Sequence, residues 1–261
     1  MDPRPVGIFD SGAGGLSVMR CFQQLTPHER VIYFADTDYF PYGPRPAAEV
    51  RKRSFAVVDR LLRSGVKLVI VACNTASAAA IDELRQVFPV PFVGMVPGVK
   101  PAAKSSQTGR VAILATPGTL DGGLYARVID EFGGLATISN VTGTGLAEIV
   151  ERGDTHSSAA RDAVRRALGA EIAAGADTVV LGCTHYHFLA EDILAEFPGV
   201  SIIDTSEAVA RRAVQLLAES DSLAPESQEG KLDLIVTGDR DQFRRVMVRL
   251  GFPQLSEEAT G

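Results

Sequence analysis

Two cysteines, Cys73 and Cys183, stand where acid–base chemistry is possible, and their surroundings are the same twice over. Cys73 follows the apolar run LVIVA and precedes NTAS, while Cys183 follows TVVLG and precedes THYH. Each lies eight residues after a glycine, Gly65 or Gly175, and each helix-like stretch beyond ends in Phe-Pro, at Phe88-Pro89 and Phe197-Pro198. A thiol between a strand and a helix faces unpaired backbone N–H groups and the positive end of the helix dipole, so its pKa is expected to fall from about 8.5 toward about 7. One such cysteine suggests a nucleophile. Two in matched positions suggest a reaction that needs an acid and a base on opposite faces of one carbon, as racemisation at an α-carbon does. A lone cysteine is more often core filler, and Cys21, within the amphipathic LSVMRCFQQL, keeps that reading.

Other polar residues fall at equivalent strand ends. They are Asp10 and Ser11 after the first strand, Tyr42 and Gly43 in DYFPYG, Asn74 and Thr75, Thr116 and Thr119 in ATPGT, and Thr184 and His185. Parallel sheets bind ligands outside the carboxyl ends of their strands, so these residues can line one crevice. No Lys or Arg occurs in these motifs, which points to a small carboxylate held by backbone amides, hydroxyls and helix termini. A nucleotide fits poorly. GAGGLS has Ser17 where the third glycine of G-x-G-x-x-G belongs, and no G-x-x-x-x-G-K-[ST] occurs.

The elements that position these groups read as strands alternating with helices, hence an α/β fold with mainly parallel sheets flanked by helices. Strands are expected at 6–9, 31–34, 68–71, 92–93, 111–114, 137–140, 178–181, 201–203 and 234–236, and nine strands suit two sheets better than one. Helices are expected at 15–25, 47–64, 77–88, 120–132, 146–151, 158–174, 189–197, 207–219 and 241–250. A weaker echo pairs GIFDSGAGGL with VAILATPGTL, so two pseudo-symmetric domains are expected, 1–95 plus 205–261 and 96–204, with the site between them. The stretch VPGVKPAAKSSQTG, rich in Pro, Gly and Ser, reads as the linker. The chain has 261 residues, 46% of them hydrophobic and 22% charged, with a formal net charge of −6, so no basic footprint for nucleic acid exists. No apolar run approaches the length of a membrane span and no leader is evident, so no membrane partner and a cytoplasmic location are expected.

The motifs DSGAGGLSV from Asp10, PYG from Pro41, VACNTAS from Val71, PGVKPA from Pro97, LGCTHY from Leu181 and TGD from Thr237 together resemble the glutamate racemases of the aspartate/glutamate racemase superfamily. The resemblance implies a homodimeric two-domain enzyme that makes D-glutamate for peptidoglycan with no cofactor, neither pyridoxal phosphate nor metal. It implies that Cys73 serves the D-enantiomer and Cys183 the L-enantiomer, assisted by Asp10 and His185. It implies substrate contacts at Asp10, Ser11, Tyr42, Gly43, Asn74, Thr75, Thr184 and His185, and Glu151 in IVERG matches an acidic residue implicated in some members. One departure is His187, where the family usually carries proline or a small residue. Three rivals stand beside this reading: a racemase of aspartate or another amino acid, a non-catalytic two-lobed carboxylate binder, and a zinc site from Cys183, His185, His187 and Cys73.

Overall fold

The structure, a computed structural model, describes residues 1–253. β1 (Val6–Asp10) runs through a glycine turn into α1 (Leu16–Leu25), followed by β2 (Val31–Ala35), α2 (Ala47–Arg63), β3 (Leu68–Val71), α3 (Asn74–Val87) and β4 (Phe92–Gly94). A second alternation runs α4 (Val99–Ser105), β5 (Arg110–Ala115), α5 (Pro117–Leu120), α6 (Gly123–Phe132), β6 (Thr137–Thr142), α7 (Leu146–Glu151), α8 (Ser158–Ala173), β7 (Thr178–Gly182), α9 (Ala190–Glu196) and β8 (Ser201–Ile203). The described chain closes with α10 (Ser206–Glu219), β9 (Leu232–Val236) and α11 (Arg240–Arg249). Helices cover both faces of the central strands, which is why β1, β2, β3 and β7 are buried along their whole length and read as continuous apolar runs.

The strands form two sheets, ordered β4-β3-β1-β2-β9 and β6-β5-β7-β8, with every pair parallel. Turned end for end, the second reads β8-β7-β5-β6, the order of the first without β9. β3 and β7 are therefore counterparts, and so are β1 and β5. Phe9 pairs with Val71 and Leu114 with Leu181, so counting two residues on brings Ser11 level with Cys73 and Thr116 level with Cys183. The cysteine backbones agree closely, at φ −140° and ψ 121° for Cys73 against φ −148° and ψ 134° for Cys183. β9 pairs with β2, and α10 packs on α1, so the C-terminal stretch adds to the first sheet and its helical layer.

Three local readings need correction. The expected linker contains α4, whose Val99 and Ala102 are buried; Pro101 hid it, although proline in a first helical turn removes only an N–H that has no intrahelical partner. The helix expected at 120–132 is two helices, α5 and α6, with Pro117 opening the first and Gly122 preceding the second. Beyond Cys183 the chain makes a 3₁₀ turn, Thr184–Leu189, before α9 begins.

The glycines that open the repeat have a backbone reason to be glycine. Gly65 and Gly175 follow the C-caps of α2 and α8 with φ of +76° and +96°, the left-handed conformation that ends a helix and turns the chain into β3 or β7. Replacing either with Ala is expected to lower the unfolding free energy by about 1–2 kcal/mol, the cost of a left-handed L-residue. Urea denaturation followed by circular dichroism measures it, and unchanged midpoints for both variants would remove the left-handed turns from the account.

Candidate active site

Both cysteines end on one cleft between the carboxyl ends of the two sheets. Cys73 is the N-cap of α3, its sulfur accepting from the Ala76 N–H at 3.5 Å, so the cap role belongs to the thiol and Asn74 and Thr75 are the first helical residues. Ser11, Tyr42, Gly43, Asn74, Thr75, Thr184 and His185 line the same cleft. Asp10 lies behind them, fully buried, with Oδ2 accepting from the Gly15 N–H at 2.9 Å. The side-chain amide of Asn74 is buried with neither its nitrogen nor its oxygen hydrogen-bonded to protein. Such a group is costly unless a ligand completes it.

The two halves differ in what surrounds the sulfur. Around Cys183, His185 Nδ1 lies 3.8 Å from Sγ while its Nε2 lies 2.7 Å from Glu151 Oε1. Burial alone would depress the His185 pKa, but its hydrogen bonds to Cys183 and Glu151 and the charge of Asp10 outweigh that and hold it well above the ordinary range. Glu151 also accepts from the Ala13 N–H of the glycine turn, so the carboxylate that reads as an exposed helical residue in sequence is anchored between the two halves. Around Cys73 the neighbour is Asp10. Burial pushes the Cys73 thiol well above its usual range, and the charges of Asp10 and Cys183 push the same way against the Ala76 N–H. The lowered pKa expected for this cysteine is therefore wrong, because desolvation exceeds the effect of one helix terminus. Burial also raises the Asp10 carboxyl, against the His185 charge and the Gly15 N–H. In strand register, the counterpart of Asp10 is Ala115 and the counterpart of His185 is Thr75.

The remaining walls hold the loops in place. The Tyr42 hydroxyl donates to Asp36 at 2.5 Å, which fixes this tyrosine in the wall of the cleft. Asp36 in turn takes a fork from Arg53 and a hydrogen bond from Thr237 of the TGD motif at 3.1 Å. Across the mouth, Thr75 Oγ1 meets Thr116 Oγ1 at 2.8 Å, and the Gly118 N–H donates to the Gly43 carbonyl at 3.0 Å. Sequence reasoning missed Phe40, whose ring tilts on His185, Tyr186, whose hydroxyl donates to the Gly143 carbonyl at 2.9 Å, and the turn Thr142–Gly145 with Glu148. The signal available was TGTG directly after a strand, a small-residue turn like those already singled out. The zinc constellation does not assemble: His185 is engaged by Cys183 and Glu151, and His187 Nδ1 faces the Ser206 hydroxyl. Among the described residues no cluster of three or more His, Cys, Asp or Glu is arranged around a metal position.

Residues 7–213 match the Asp/Glu/hydantoin racemase family. The chain belongs to that family. A glutamate racemase from Herpetosiphon aurantiacus is 43% identical over 94% of this chain and 97% of its own. Among solved structures, the Escherichia coli glutamate racemase in complex with L-glutamate and the activator UDP-MurNAc-Ala superposes with a TM-score of 0.83, at 34% identity over 96% of each chain. The Francisella tularensis glutamate racemase in complex with D-glutamate gives 0.83 at 28% identity, over 96% of this chain and 94% of that one. As a member of this racemase family, the chain is an α/β protein of two parallel sheets whose strand ends frame the paired cysteines. Among the described residues no helix is long and apolar enough to cross a membrane.

The His185–Glu151 contact can be tested by titration. Imidazole NMR on the wild-type chain is expected to show His185 titrating above the ordinary histidine range, and Glu151→Gln should bring it down. A raised folded-state pKa contributes stability that is complete below the unfolded value, about 6.5, and is lost as pH rises through the folded value. The wild type should therefore exceed Glu151→Gln in stability by more at pH 6 than above the His185 pKa; the opposite trend would contradict the assignment.

Proposed function

We propose that this protein is a glutamate racemase, an isomerase that interconverts L- and D-glutamate with Cys73 and Cys183 as its acid–base pair. The observation that carries the reading is two buried thiols at equivalent strand ends of one cleft, each with its own ionisable neighbour. Relatives and solved structures bearing the name glutamate racemase, two of them holding L- or D-glutamate, support glutamate over aspartate as substrate. The likeness to an aspartate racemase homologue from Pyrococcus horikoshii, at 19% identity, extends to the fold alone.

For L-glutamate, Cys183 as thiolate removes the α-proton while the His185 imidazolium balances charge on the sulfur and Glu151 holds the ring. Cys73, kept a thiol by burial and by Asp10, returns a proton to the other face. For D-glutamate the roles exchange, and Asp10, its own pKa raised, is the acceptor for the Cys73 proton. Asn74, Ser11, Thr75 and Thr184 hold the carboxylates together with the backbone at Tyr42 and Gly43. The substrate ammonium brings the positive charge that an Arg- and Lys-free lining lacks. The reading further assigns lobes at 1–95 plus 205–261 and 96–204, a homodimer in the cytoplasm, and supply of D-glutamate to peptidoglycan.

Incubating the pure protein with L-glutamate in D₂O is the direct experiment. It should give D-glutamate with deuterium at the α-carbon, without added pyridoxal phosphate and in the presence of EDTA; a chain that binds glutamate but exchanges no α-proton is a binder. Cys73→Ala or Cys183→Ala should abolish racemisation in both directions, since losing one general acid or base costs about 10²–10⁴-fold. Cys73→Ser should still eliminate a β-leaving group from an L-glutamate analogue, and Cys183→Ser from the D-analogue. Both variants acting on the same enantiomer would refute one thiol per face.

A further inference from the structure

His187 takes no part in the chemistry proposed above, yet its side chain is buried among polar groups from three elements. Its Nδ1 lies 2.5 Å from Ser206 Oγ, 3.1 Å from Ser17 Oγ and 3.3 Å from Asp204 Oδ1. Ser206 Oγ donates to Ser17 Oγ at 3.2 Å, and Ser17 Oγ donates to the Gly14 carbonyl at 3.1 Å. A hydroxyl has one proton, so the directions that satisfy every contact run from His187 Nδ1–H through Ser206 and Ser17 to Gly14. Gly14 is where this chain of hydrogen bonds meets the site. A Cβ added there would lie 2.5 Å from His185 Nδ1 and 2.6 Å from Thr184 Oγ1, so the Gly14 backbone packs directly on both. The next residue but one from His187 along the 3₁₀ turn is His185 itself.

We propose that His187 is a positioning residue for both half-sites, fixing through the Ser206 and Ser17 hydroxyls the glycine turn against which His185 and Thr184 pack and whose Gly15 N–H holds Asp10. Burial holds its imidazole neutral against the pull of Asp204, and the charge of His185 works the same way, which keeps a single proton for the Nδ1 bond. The peptide that carries the Gly14 carbonyl also presents the Gly15 N–H to Asp10, the neighbour of Cys73, so the two half-sites share this turn. The effect therefore reaches both faces of the substrate. This inference rests on the reading of the two thiols as separate bases.

The experiment measures elimination from β-leaving-group analogues of L- and D-glutamate, a reaction that needs one base. The enantiomer still processed by Cys73→Ser defines the substrate of Cys183. His187→Phe keeps a ring but loses the donor, and should slow elimination of that enantiomer and of its mirror image about tenfold or more. His187→Asn, whose amide N–H occupies the place of Nδ1–H, should recover to within about threefold of wild type. Ser17→Ala, on the opposite end of the chain of bonds, should give the same loss on both enantiomers and serves if His187→Phe does not fold. No loss in either variant, or a loss that His187→Asn fails to recover, would overturn the role of His187 while leaving the racemase reading intact. A wild-type chain inert toward both analogues and toward glutamate would sink the racemase reading and this inference with it.

Discussion

Removing two thiols and their partners from water is the constraint that the rest of the site answers. Cys73, Cys183, Asp10 and His185 are all buried, and a buried charge without a partner is among the most costly features a fold can carry. The response differs on the two sides. At Cys183 the His185 ring, clamped by Glu151, sits beside the sulfur and, when protonated, balances a negative charge there. At Cys73 a carboxyl faces the sulfur, and burial raises the pKa of both groups. The two sulfurs thus meet different environments, although the two side chains are the same residue type.

The fold supplies the frame for this difference. One strand order repeated in two sheets sets the cysteines at the same level of β3 and β7 with nearly the same backbone angles. Contacts across the cleft then join the halves: Glu151 reaches the glycine turn of the first sheet, Gly118 meets Gly43, and the threonines Thr75, Thr116 and Thr119 share hydroxyl bonds. The His187 hydrogen bonds add a fourth connection, behind the chemistry and away from the mouth.

Backbone-scale features were readable in the sequence because they depend on local patterns. The glycine-to-cysteine spacing reflects helix C-termini and strand lengths, so the repeat predicted the equivalence of the strand ends that the sheet orders display. The long apolar runs gave the buried strands. Features set by three-dimensional company were not readable. Glu151 looks exposed on a helix because its partners, Ala13 and His185, are 138 and 34 residues away. The Cys73 pKa was misjudged because a helix terminus is visible in sequence and the depth of burial is not. Helix α4 was lost to composition, its two buried residues outnumbered by Pro, Gly, Ser and Lys. Residues 254–261 lie outside the described part of the structure.

The half-sites match in register and not in chemistry, with Ala115 opposite Asp10 and Thr75 opposite His185. For a racemase this has a thermodynamic consequence. Free L- and D-glutamate are mirror images and have equal free energy in water, so no inequality between the half-sites can tilt the final mixture from equal parts. Whatever the enzyme does to one direction under dilute substrate it must do to the other, because both pass through the same transition state. The inequality of Asp10 and His185 can therefore be expressed only in how deeply each enantiomer's complex rests, and hence in a preference at saturation that vanishes as substrate becomes scarce.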